Sequence, residues 1–237
     1  MHIIAHRGFR GHYPEMSEIA FRSALEMPIH GVECDVRLSA DGQVVCNHDA
    51  TMLRTAGDPM RVSRATVSQL KRLNIGTQDE VQRVLTLDEL LDIMEDYPDK
   101  HLYIETKHPV VTGPILEEQV ALRLRYRGLL EDPRIHIISF SHAAIRRMAA
   151  LAPHLDRIYL RREWELRYNP RDFGFSTPTA KGLSVMRGRL TPSLITSGKK
   201  GAYMWTVNKE EDMLWAKEQG VSMMATDFPD IALKLFG

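Results

Sequence analysis

Short runs of apolar and β-branched residues alternate along the chain with longer stretches in which apolar residues recur at helical spacing. The short runs predict nine strands, at residues 2–5, 31–38, 43–47, 101–107, 134–140, 157–160, 182–186, 202–207 and 222–226. The longer stretches predict helices at residues 15–27, 86–97, 114–130, 142–151, 191–197, 210–218 and 229–236, with residues 163–180 irregular. Thr86 and Ser141 are the expected N-caps of two helices. This alternation is typical of βα units around a parallel sheet.

The third predicted strand interrupts the alternation. Only a few residues separate 31–38 from 43–47, which is too few for a parallel crossover, so these two strands are predicted to form an antiparallel hairpin. An Asp-Gly dipeptide lies between them, and this dipeptide is favoured in two-residue hairpin loops. Such a loop pairs Ala40 with Gln43.

This register has two consequences that can be checked. Counting back from the loop along both strands places Asp35 opposite His48. The same count places Cys34 and Cys46 on opposite faces of the hairpin, so the two are expected to be buried free thiols rather than a disulfide.

The other eight strands are predicted to be parallel, and eight is the number that closes a (β/α)8 barrel. The length of 237 residues suits this architecture, since such barrels run to about 250 residues as a single unit. An open doubly wound sheet is the weaker alternative, because no glycine-rich phosphate-binding loop follows the first strand. We therefore predict an α/β protein whose residues 1–237 form one TIM-barrel domain.

Charge and hydropathy argue against several kinds of partner. The 31 Lys and Arg residues balance the 31 Asp and Glu residues, so no overall field would draw the chain to nucleic acid or anionic lipid. No apolar stretch approaches the roughly 20 residues that span a bilayer, and the N-terminus lacks the features of a signal peptide. We expect a cytoplasmic protein without a nucleic-acid partner or stable membrane insertion. The sequence leaves the oligomeric state open.

Glu33 and Asp35 lie two residues apart on a predicted strand, so both carboxylates project from one face. In a barrel that face points inward, where an unpaired charge is costly. A hard divalent cation such as Mg²⁺, Ca²⁺ or Mn²⁺ would compensate these charges, because such ions prefer oxygen ligands. The alternative is that the acids only form ion pairs with Arg7 or Lys107.

Glu105 and Lys107 repeat this arrangement on a later strand, where they share a face. Because functional residues of parallel barrels gather at the carboxyl ends of the strands, Glu105 is expected beside Glu33 and Asp35. Three carboxylates with a lysine and an arginine predict a metal site that also holds an anion.

Two histidines are expected in the same region, since His6 ends the first strand and His48 follows the third. Histidine titrates near neutral pH, so such a pair suits general acid and base catalysis. Asn47 and Asp49 flank His48 and could orient it or contact the metal ligands. The other histidines are expected at the surface or at helix ends.

Further candidates follow other strands. Arg7 carries a planar guanidinium that matches phosphate oxygens, and Gly8 lets the backbone approach a ligand closely. Polar and aromatic residues end two late strands: Trp205, Thr206 and Asn208, then Thr226 and Asp227. Trp205 is expected either to line the pocket or to belong to the core.

These motifs together resemble the signature of the glycerophosphodiester phosphodiesterases, a family of the phospholipase-C-like phosphodiesterase superfamily. In chain order they are His6-Arg7-Gly8, Glu33-Cys34-Asp35, His48-Asp49, Glu105-Thr106-Lys107, Trp205-Thr206-Val207-Asn208 and Thr226-Asp227. Each motif is short, but six of them in the family's order, across nearly the whole chain, are specific.

The resemblance implies a metal-dependent enzyme that hydrolyses glycerophosphodiesters to sn-glycerol 3-phosphate and an alcohol. The residues it implies are Glu33, Asp35 and Glu105 for the cation, His6 and His48 for acid-base catalysis, and Arg7 and Lys107 for the phosphate. The attacking oxygen would be the neighbouring glycerol hydroxyl or water. Residues 50–85 would correspond to the small insertion that caps the family's active site.

The chain departs from the family's pattern at two points. Where relatives usually have Pro-Glu-Asn-Thr, this chain has Pro14-Glu15-Met16-Ser17, and where they usually have Pro-Thr-Leu, it has Leu85-Thr86-Leu87. Glu15 is kept, so the change at Met16 concerns the support behind the site rather than its chemistry.

Two rival functions use the same barrel. A phosphodiesterase with this site could act on lysophospholipids or another phosphodiester, which a longer apolar pocket would favour. The predicted insertion is more basic and polar than apolar, which favours a small soluble head group. A non-catalytic phosphate-binding barrel would lack one of the histidines or carboxylates, and all five are present.

Overall fold

The computed structural model describes residues 1–161, 175–197 and 200–237. Within these residues the strands are β1 (His2–His6), β2 (Gly31–Leu38), β3 (Val44–Cys46), β4 (His101–Thr106), β5 (Ile135–Ser139), β6 (Asp156–Leu160), β7 (Ala180–Ser184), β8 (Ala202–Trp205) and β9 (Met223–Thr226). All nine predicted strands are present, and their ends lie within two residues of the prediction. Most of the predicted irregular stretch 163–180 lies outside the described residues.

Eight of these strands are parallel and close into a barrel in the order β1, β9, β8, β7, β6, β5, β4, β2, with β2 pairing back to β1. The short β3 adds antiparallel to β2. The β1–β2 pairing aligns His6 with Glu33, and the β2–β4 pairing aligns Asp35 with Glu105. The prediction of a (β/α)8 barrel is confirmed, and its closure brings these four residues to one end.

The helices pack around the barrel. They are α1 (Glu18–Leu25), α2 (Leu53–Ala56), α3 (Val67–Leu70), α4 (Leu87–Glu95), α5 (Ile115–Tyr126), α6 (His142–Leu151), α7 (Val185–Leu190), α8 (Ser193–Thr196), α9 (Glu210–Glu218) and α10 (Pro229–Phe236). Thr86 and Ser141 cap α4 and α6 as predicted, each accepting a backbone hydrogen bond three residues on. In the described part of the chain, no helix has the length and apolarity needed to cross a membrane.

The region after β7 differs from the prediction. The predicted strand 182–186 ends early, because the side chain of Ser184 accepts a hydrogen bond from the Arg187 N–H and starts α7 there. The predicted helix 191–197 is reduced to the single turn of α8.

Side chains alternate between the two faces of the barrel strands. On β2, the apolar residues Val32, Cys34 and Val36 belong to the large core between sheet and helices. A second cluster is formed by Ile4, Tyr103, Ile138, Ile158, Leu160, Ala180, Tyr203, Met223 and Ala225. It fills the barrel interior, as side chains of strands do in closed barrels of this size. Glu33 and Asp35 therefore occupy inward positions next to an apolar filling.

The β2–β3 hairpin is shifted by one residue from the predicted register. Val36 pairs with Cys46, and the loop has three residues, because the Ser39 N–H donates to the Gln43 carbonyl at 2.9 Å. Gly42 has a left-handed φ of 76° while the aspartate before it does not. A loop that ends in one left-handed glycine is the three-residue form, whereas the predicted two-residue form needs positive φ at both positions.

This shift corrects two predictions. Asp35 does not pair with His48, and its carbonyl accepts instead from the Asn47 N–H at 3.0 Å. Cys34 and Cys46 lie on the same face, since Cys46 pairs with the residue two positions after Cys34. Both cysteines are buried and free, as expected.

Residues 50–85 contain α2, α3 and a 3-10 helix at Val62–Arg64. Their apolar side chains Met52, Val62, Ala65, Leu70, Ile75 and Val84 form a small cluster together with Val45 of β3. The segment therefore has internal packing that can hold its polar side chains in place beside the barrel.

Candidate active site

Three carboxylates from two neighbouring strands meet at the carboxyl end of the barrel. Glu33 and Asp35 lie on β2 and Glu105 lies on β4, and all three are buried. One oxygen from each lies within 4.8 Å of one oxygen from each of the others. This spacing suits a single ion held between them, since oxygen ligands lie about 2.0–2.6 Å from Mg²⁺ or Ca²⁺.

Burial and mutual repulsion shape the electrostatics of these acids. Burial, together with Asp35 and Glu105, raises the pKa of Glu33 well above its usual value. Burial and Asp35 raise the pKa of Glu105 to about 7. Glu33 Oε1 is buried and has no hydrogen-bond partner among the described residues. A set of buried oxygen ligands with one oxygen unpaired and an excess of negative charge fits a hard divalent cation.

Lys107 and Arg7 approach the same cluster. Arg7 Nε lies 2.9 Å from Asp35 Oδ2, and Lys107 Nζ lies 3.1 Å from Asp35 Oδ1. Although burial favours the protonated acid, Lys107 and Arg7 hold the pKa of Asp35 below its usual value. Lys107 Nζ also lies 2.6 Å from Glu105 Oε1. Ion pairing is thus present, but two cationic side chains face three carboxylates, so pairing alone does not neutralise the cluster.

A sharp turn after β1 sets the position of Arg7. Arg7 and Gly8 are both left-handed, with φ of 59° and 75°. The turn directs the Arg7 N–H to Glu33 Oε2 at 3.0 Å. A Cβ at Gly8 would lie 2.7 Å from the carbonyl carbon of Ala20, so the position requires glycine both for its φ and for space.

His6 is held by a carboxylate from the last strand of the barrel. Its Nδ1 lies 2.7 Å from Asp227 Oδ1, and its Nε2 faces Glu33 Oε2 at 3.8 Å. Asp227 is fixed in turn by Asn208, whose Nδ2 donates to Asp227 Oδ2 at 2.8 Å. Burial lowers the pKa of His6 despite Asp227. Asp227 therefore orients the ring so that Nε2 faces the acid cluster.

His48 follows β3 in a loop and reaches the same end of the barrel. Its Nδ1 lies 2.7 Å from Asp49 Oδ1. Its carbonyl accepts two hydrogen bonds from the Arg37 guanidinium, at 2.9 and 2.7 Å. Asn47 Nδ2 donates to the Asp49 carbonyl at 2.8 Å. Burial lowers the pKa of His48, so both histidines have a neutral form available near neutral pH.

Glu15 joins Arg7 to Arg54 of the segment 50–85. Its Oε1 lies 3.2 Å from Arg7 Nη1, and both of its oxygens accept from the Arg54 guanidinium at 2.7 Å. Arg54 Nε donates to Asp49 Oδ2, also at 2.7 Å. Arg54 thereby connects the residues behind Arg7 to those behind His48.

A cavity of about 150 Å³ opens over this cluster. Of the predicted residues, it is lined by His6, Arg7, Glu33, His48, Glu105, Lys107 and Trp205. Asp35 lies directly behind Arg7 and Lys107. The aromatic wall consists of Trp205 and Phe140, whose ring centroids are 5.0 Å apart in an edge-to-face arrangement. Trp205 therefore lines the cavity, and its partly buried ring also packs against the barrel-interior cluster.

The structure brings together every predicted residue of the site, with Glu15, Asn47 and Asp49 behind the lining residues. Two residues of the site escaped the sequence prediction, Arg37 and Arg54, and two others, Asp227 and Asn208, were noted there without a role. Asp227 and Asn208 lie in motifs that were noted, and their position at strand ends was the available signal. Arg37 and Arg54 carried no signal, because their partners depend on how the hairpin and the insertion fold.

A model of the "Glycerophosphoryl diester phosphodiesterase family" matches residues 6–231 of the chain. The chain belongs to this family. The match begins at His6 and spans both histidines and all three carboxylates. It confirms the family and the class of enzyme that the motifs predicted.

The chain is also similar to individual proteins named as phosphodiesterases. A Mycobacterium tuberculosis (strain ATCC 25618 / H37Rv) protein named "Probable glycerophosphodiester phosphodiesterase 1" is 32% identical, over 96% of this chain and 89% of its own. A glycerophosphodiester phosphodiesterase of Caldanaerobacter subterraneus subsp. tengcongensis is 30% identical over 98% and 96%. A solved structure of an Oleispira antarctica phosphodiesterase, in complex with the product sn-glycerol-3-phosphate, has a TM-score of 0.86 at 24% identity and covers 99% and 96%. This last likeness supports the barrel fold.

Met16, where the resemblance led us to expect an asparagine, has a left-handed φ of 60°. Asparagine enters this region far more readily than most residues. Met16 lies there with its side chain buried in the main core, and its N–H donates to the Arg7 carbonyl at 3.1 Å. The loop that carries Glu15 therefore keeps its shape in this member of the family through packing instead of local preference.

Proposed function

We propose that this chain hydrolyses glycerophosphodiesters to sn-glycerol 3-phosphate and an alcohol. Glu33, Asp35 and Glu105 would bind a divalent cation, and His6 and His48 would act as the general acid and base. The observation that carries the proposal is the single cavity in which both histidines border the buried acids. A merely structural cluster would not need two oriented histidines at its rim.

The oxygen-only ligand set favours Mg²⁺, Ca²⁺ or Mn²⁺. When bound, such an ion neutralises negative charge on the phosphoryl oxygens and helps to position them. Glu33 Oε1 is available as a ligand, since it is buried and has no hydrogen-bond partner in the described part of the chain. Asp35 and Glu105 already share Lys107, so they would hold the ion while keeping the lysine close.

Arg7 and Lys107 would bind the phosphodiester anion. Each has donors in excess of its ion pairs, because a guanidinium carries five N–H groups and an ammonium three. The Arg7 ion pairs with Glu15 and Asp35 fix the guanidinium before substrate arrives. Such pre-positioned charge stabilises a transition state without having to reorganise during the reaction.

Proton transfer would be divided between His6 and His48. One histidine removes the proton from the attacking oxygen, which is the neighbouring glycerol hydroxyl or water, and the other protonates the departing alkoxide. Asp227 and Asp49 each accept from or face the Nδ1 of their histidine. This leaves Nε2 of each ring for the substrate.

A small head group fits the cavity best. The cavity has a volume of about 150 Å³, and Trp205 and Phe140 line one side of it. This leaves little room for an acyl chain. The Oleispira relative was solved with sn-glycerol-3-phosphate, the product that this reaction would release. A lysophospholipid would need the chain to pass outside this cavity.

The test compares purified protein with glycerophosphocholine, glycerophosphoglycerol and lysophosphatidylcholine. We expect hydrolysis of the two soluble diesters, abolished by EDTA and restored by Mg²⁺, Ca²⁺ or Mn²⁺. His6→Ala and His48→Ala should each lower kcat by more than about 10²-fold, and Glu33→Ala should abolish the response to metal. The exposed His154 provides the matched control, since His154→Ala should leave kcat unchanged.

Four outcomes would contradict the proposal or a part of it. Activity that survives both EDTA and Glu33→Ala would exclude the metal role. Small effects of both histidine substitutions would exclude the acid-base pair. Binding of the diesters without any turnover would favour a non-catalytic phosphate-binding barrel. Preference for lysophosphatidylcholine would identify lysophospholipids as the substrate in place of glycerophosphodiesters.

A further inference from the structure

A second cluster of ionisable side chains lies at the opposite end of the barrel, where the strands begin. His2 and His101 are the first residues of β1 and β4, His30 directly precedes β2, and His136 is the second residue of β5. From the sequence, these histidines were expected at the surface or at helix ends. That expectation is wrong for His136, which is only 6% exposed, and the other three are grouped around it.

The rings form a continuous stack. The centroids of His30 and His101 are 3.8 Å apart at an interplanar angle of 25°, and those of His101 and His136 are 5.1 Å apart at 19°. His101 Nδ1 and His136 Nε2 share a hydrogen bond of 2.8 Å. One ring nitrogen from each of His30, His101 and His136 lies within 4.8 Å of one from each of the others.

An acid behind the cluster sets the direction of one ring. His136 Nδ1 faces Asp156 Oδ2 at 3.6 Å, so its proton is favoured on Nδ1 and its Nε2 lone pair points to His101. Thr179 Oγ1 and Lys200 Nζ both bind Asp156 Oδ1 and hold that carboxylate in place. A carboxylate behind a histidine is the usual arrangement around protein metal sites, because it fixes the tautomer and raises the basicity of the ligating nitrogen.

The cluster opens into a cavity of about 500 Å³. All four histidines line it, together with Asp156 and Met223. Burial, reinforced by the neighbouring histidines, lowers the pKa of His30 to about 3, and burial with His136 lowers that of His101 to about 4. The rings of His30 and His101 are thus uncharged at neutral pH, which is the form in which imidazole binds metals.

We propose that His30, His101 and His136 form a second metal site, which binds one divalent cation of the borderline class represented by Zn²⁺ and Co²⁺. Imidazole nitrogen suits this class, whereas the carboxylate cluster at the other end of the barrel suits hard ions. Three protein nitrogens leave a fourth position for water or His2.

Binding requires a small rearrangement. Zinc–nitrogen bonds of about 2.1 Å place the ligating nitrogens roughly 3.4 Å from one another in a tetrahedral site. In this structure the three ring nitrogens lie within 4.8 Å of one another, so they would have to move closer together. The cavity gives the rings room to rotate. The ion would replace the hydrogen bond between His101 and His136: His101 moves its proton from Nδ1 to Nε2, Nδ1 becomes a ligand, and no proton leaves the protein.

The test is a titration of the full chain with Co²⁺ and with Zn²⁺, in excess Mg²⁺ to occupy the carboxylate cluster. We expect one Co²⁺ per chain, with the intense visible absorption of a four-coordinate ion. His101→Asn and His136→Asn should each weaken binding by about 10–100-fold or more. The matched controls His154→Asn, at the surface, and His48→Asn, in the other cavity, should keep the absorption.

Equal Co²⁺ binding by the wild type, His101→Asn and His136→Asn would overturn the proposal, as would the lack of any Co²⁺ binding by the wild type. Histidine modification by diethyl pyrocarbonate tests it without a variant. Zn²⁺ should protect the partly exposed His30 and His101 in the wild-type chain and leave His154 reactive. Unchanged modification of His30 and His101 would also overturn the proposal. Both readouts are independent of hydrolysis, so they separate this proposal from the proposed function.

Discussion

Arg54 donates two hydrogen bonds of 2.7 Å to the two carboxylate oxygens of Glu15. Glu15 is buried behind Arg7, whereas Arg54 belongs to the insertion and its side chain is 45% exposed. This contact joins the segment 50–85 to the barrel. Arg54 Nε also donates to Asp49, the residue beside His48. A single side chain therefore fixes the two partners that hold Arg7 and His48.

Replacing Arg54 tests this connection. We expect Arg54→Gln to lower kcat/KM about tenfold, or ~1.4 kcal/mol, because Arg7 and His48 lose their common support. The unfolding temperature should change little, since exposed ion pairs contribute little to stability. Arg64→Gln, which removes the same charge from an exposed position of the insertion, is the control. Equal losses in both variants would show that only the charge of the insertion matters.

Asp227 is expected to control the orientation of His6. Asp227→Asn replaces the acceptor at Nδ1 with a group that can donate, which favours the wrong tautomer of the ring. We expect kcat to fall on the order of 10²-fold or more with little change in KM. Asp230→Asn changes a nearby acid whose carboxylate lies 3.6 Å from His12 instead, and it should behave as wild type. A rise in KM at unchanged kcat would place Asp227 in substrate binding.

The observed hairpin register leads to a prediction about the thiols. Cys34 and Cys46 are 0% and 1% exposed, and burial raises the pKa of Cys34 well above its usual value. Neither thiol should react with a disulfide reagent such as DTNB in the folded protein, and two should react in denaturant. Cys46→Ser should give one reactive thiol under the same denaturing conditions. Fewer than two thiols in unreduced wild-type protein would reveal a disulfide.

The stacked histidines predict a pH dependence of stability in chelator. The unfolded pKa of histidine is about 6.5, whereas those of folded His30 and His101 are about 3 and about 4. Above pH 6.5 neither state is protonated, so the cluster makes no difference there. As the pH falls from 6.5 towards 4, the unfolded chain binds protons that the folded chain excludes, and the free energy of unfolding decreases.

Urea unfolding at several pH values between 7.5 and 5.5 measures this effect. His101→Asn should show a shallower decrease of stability than wild type, because one excluded proton is removed. The other ionisable groups around the cluster are unchanged in that variant: the amino terminus, His2, Lys100, Asp132, Arg134, His136, Asp156 and Lys200. Identical slopes would assign the acid sensitivity to other groups.

The barrel and the site residues could be predicted because each depends on local spacing. Alternating runs set the strands, and Glu33, Asp35 and Glu105 could be brought together because parallel strands share one carboxyl end. The Asp227 contact with His6 could not be predicted in this way, since it joins residues 221 positions apart and depends on closure of β1 on β9.

Two errors show where local signals are insufficient. The Asp-Gly dipeptide is compatible with loops of two or three residues, and only the backbone angle before Gly42 distinguishes them. The histidine cluster was missed although His2, His30, His101 and His136 all stand at the starts of predicted strands. Parallel barrel strands share their amino ends as well as their carboxyl ends, so residues at the starts of strands also meet at one end of the barrel.

Met16 is a point of local frustration, where backbone preference and packing favour different residues. Asparagine would suit the left-handed φ of 60° at this position but would lose the apolar contacts with the core. An apolar residue such as methionine keeps these contacts and retains the backbone strain. A left-handed non-glycine residue costs about 1–3 kcal/mol, which the surrounding core must offset. Met16 adjoins Glu15, and its N–H donates to the Arg7 carbonyl. A substitution at Met16 is therefore expected to alter both the packing of the core and the positions of Glu15 and Arg7, so evolution cannot change one without the other.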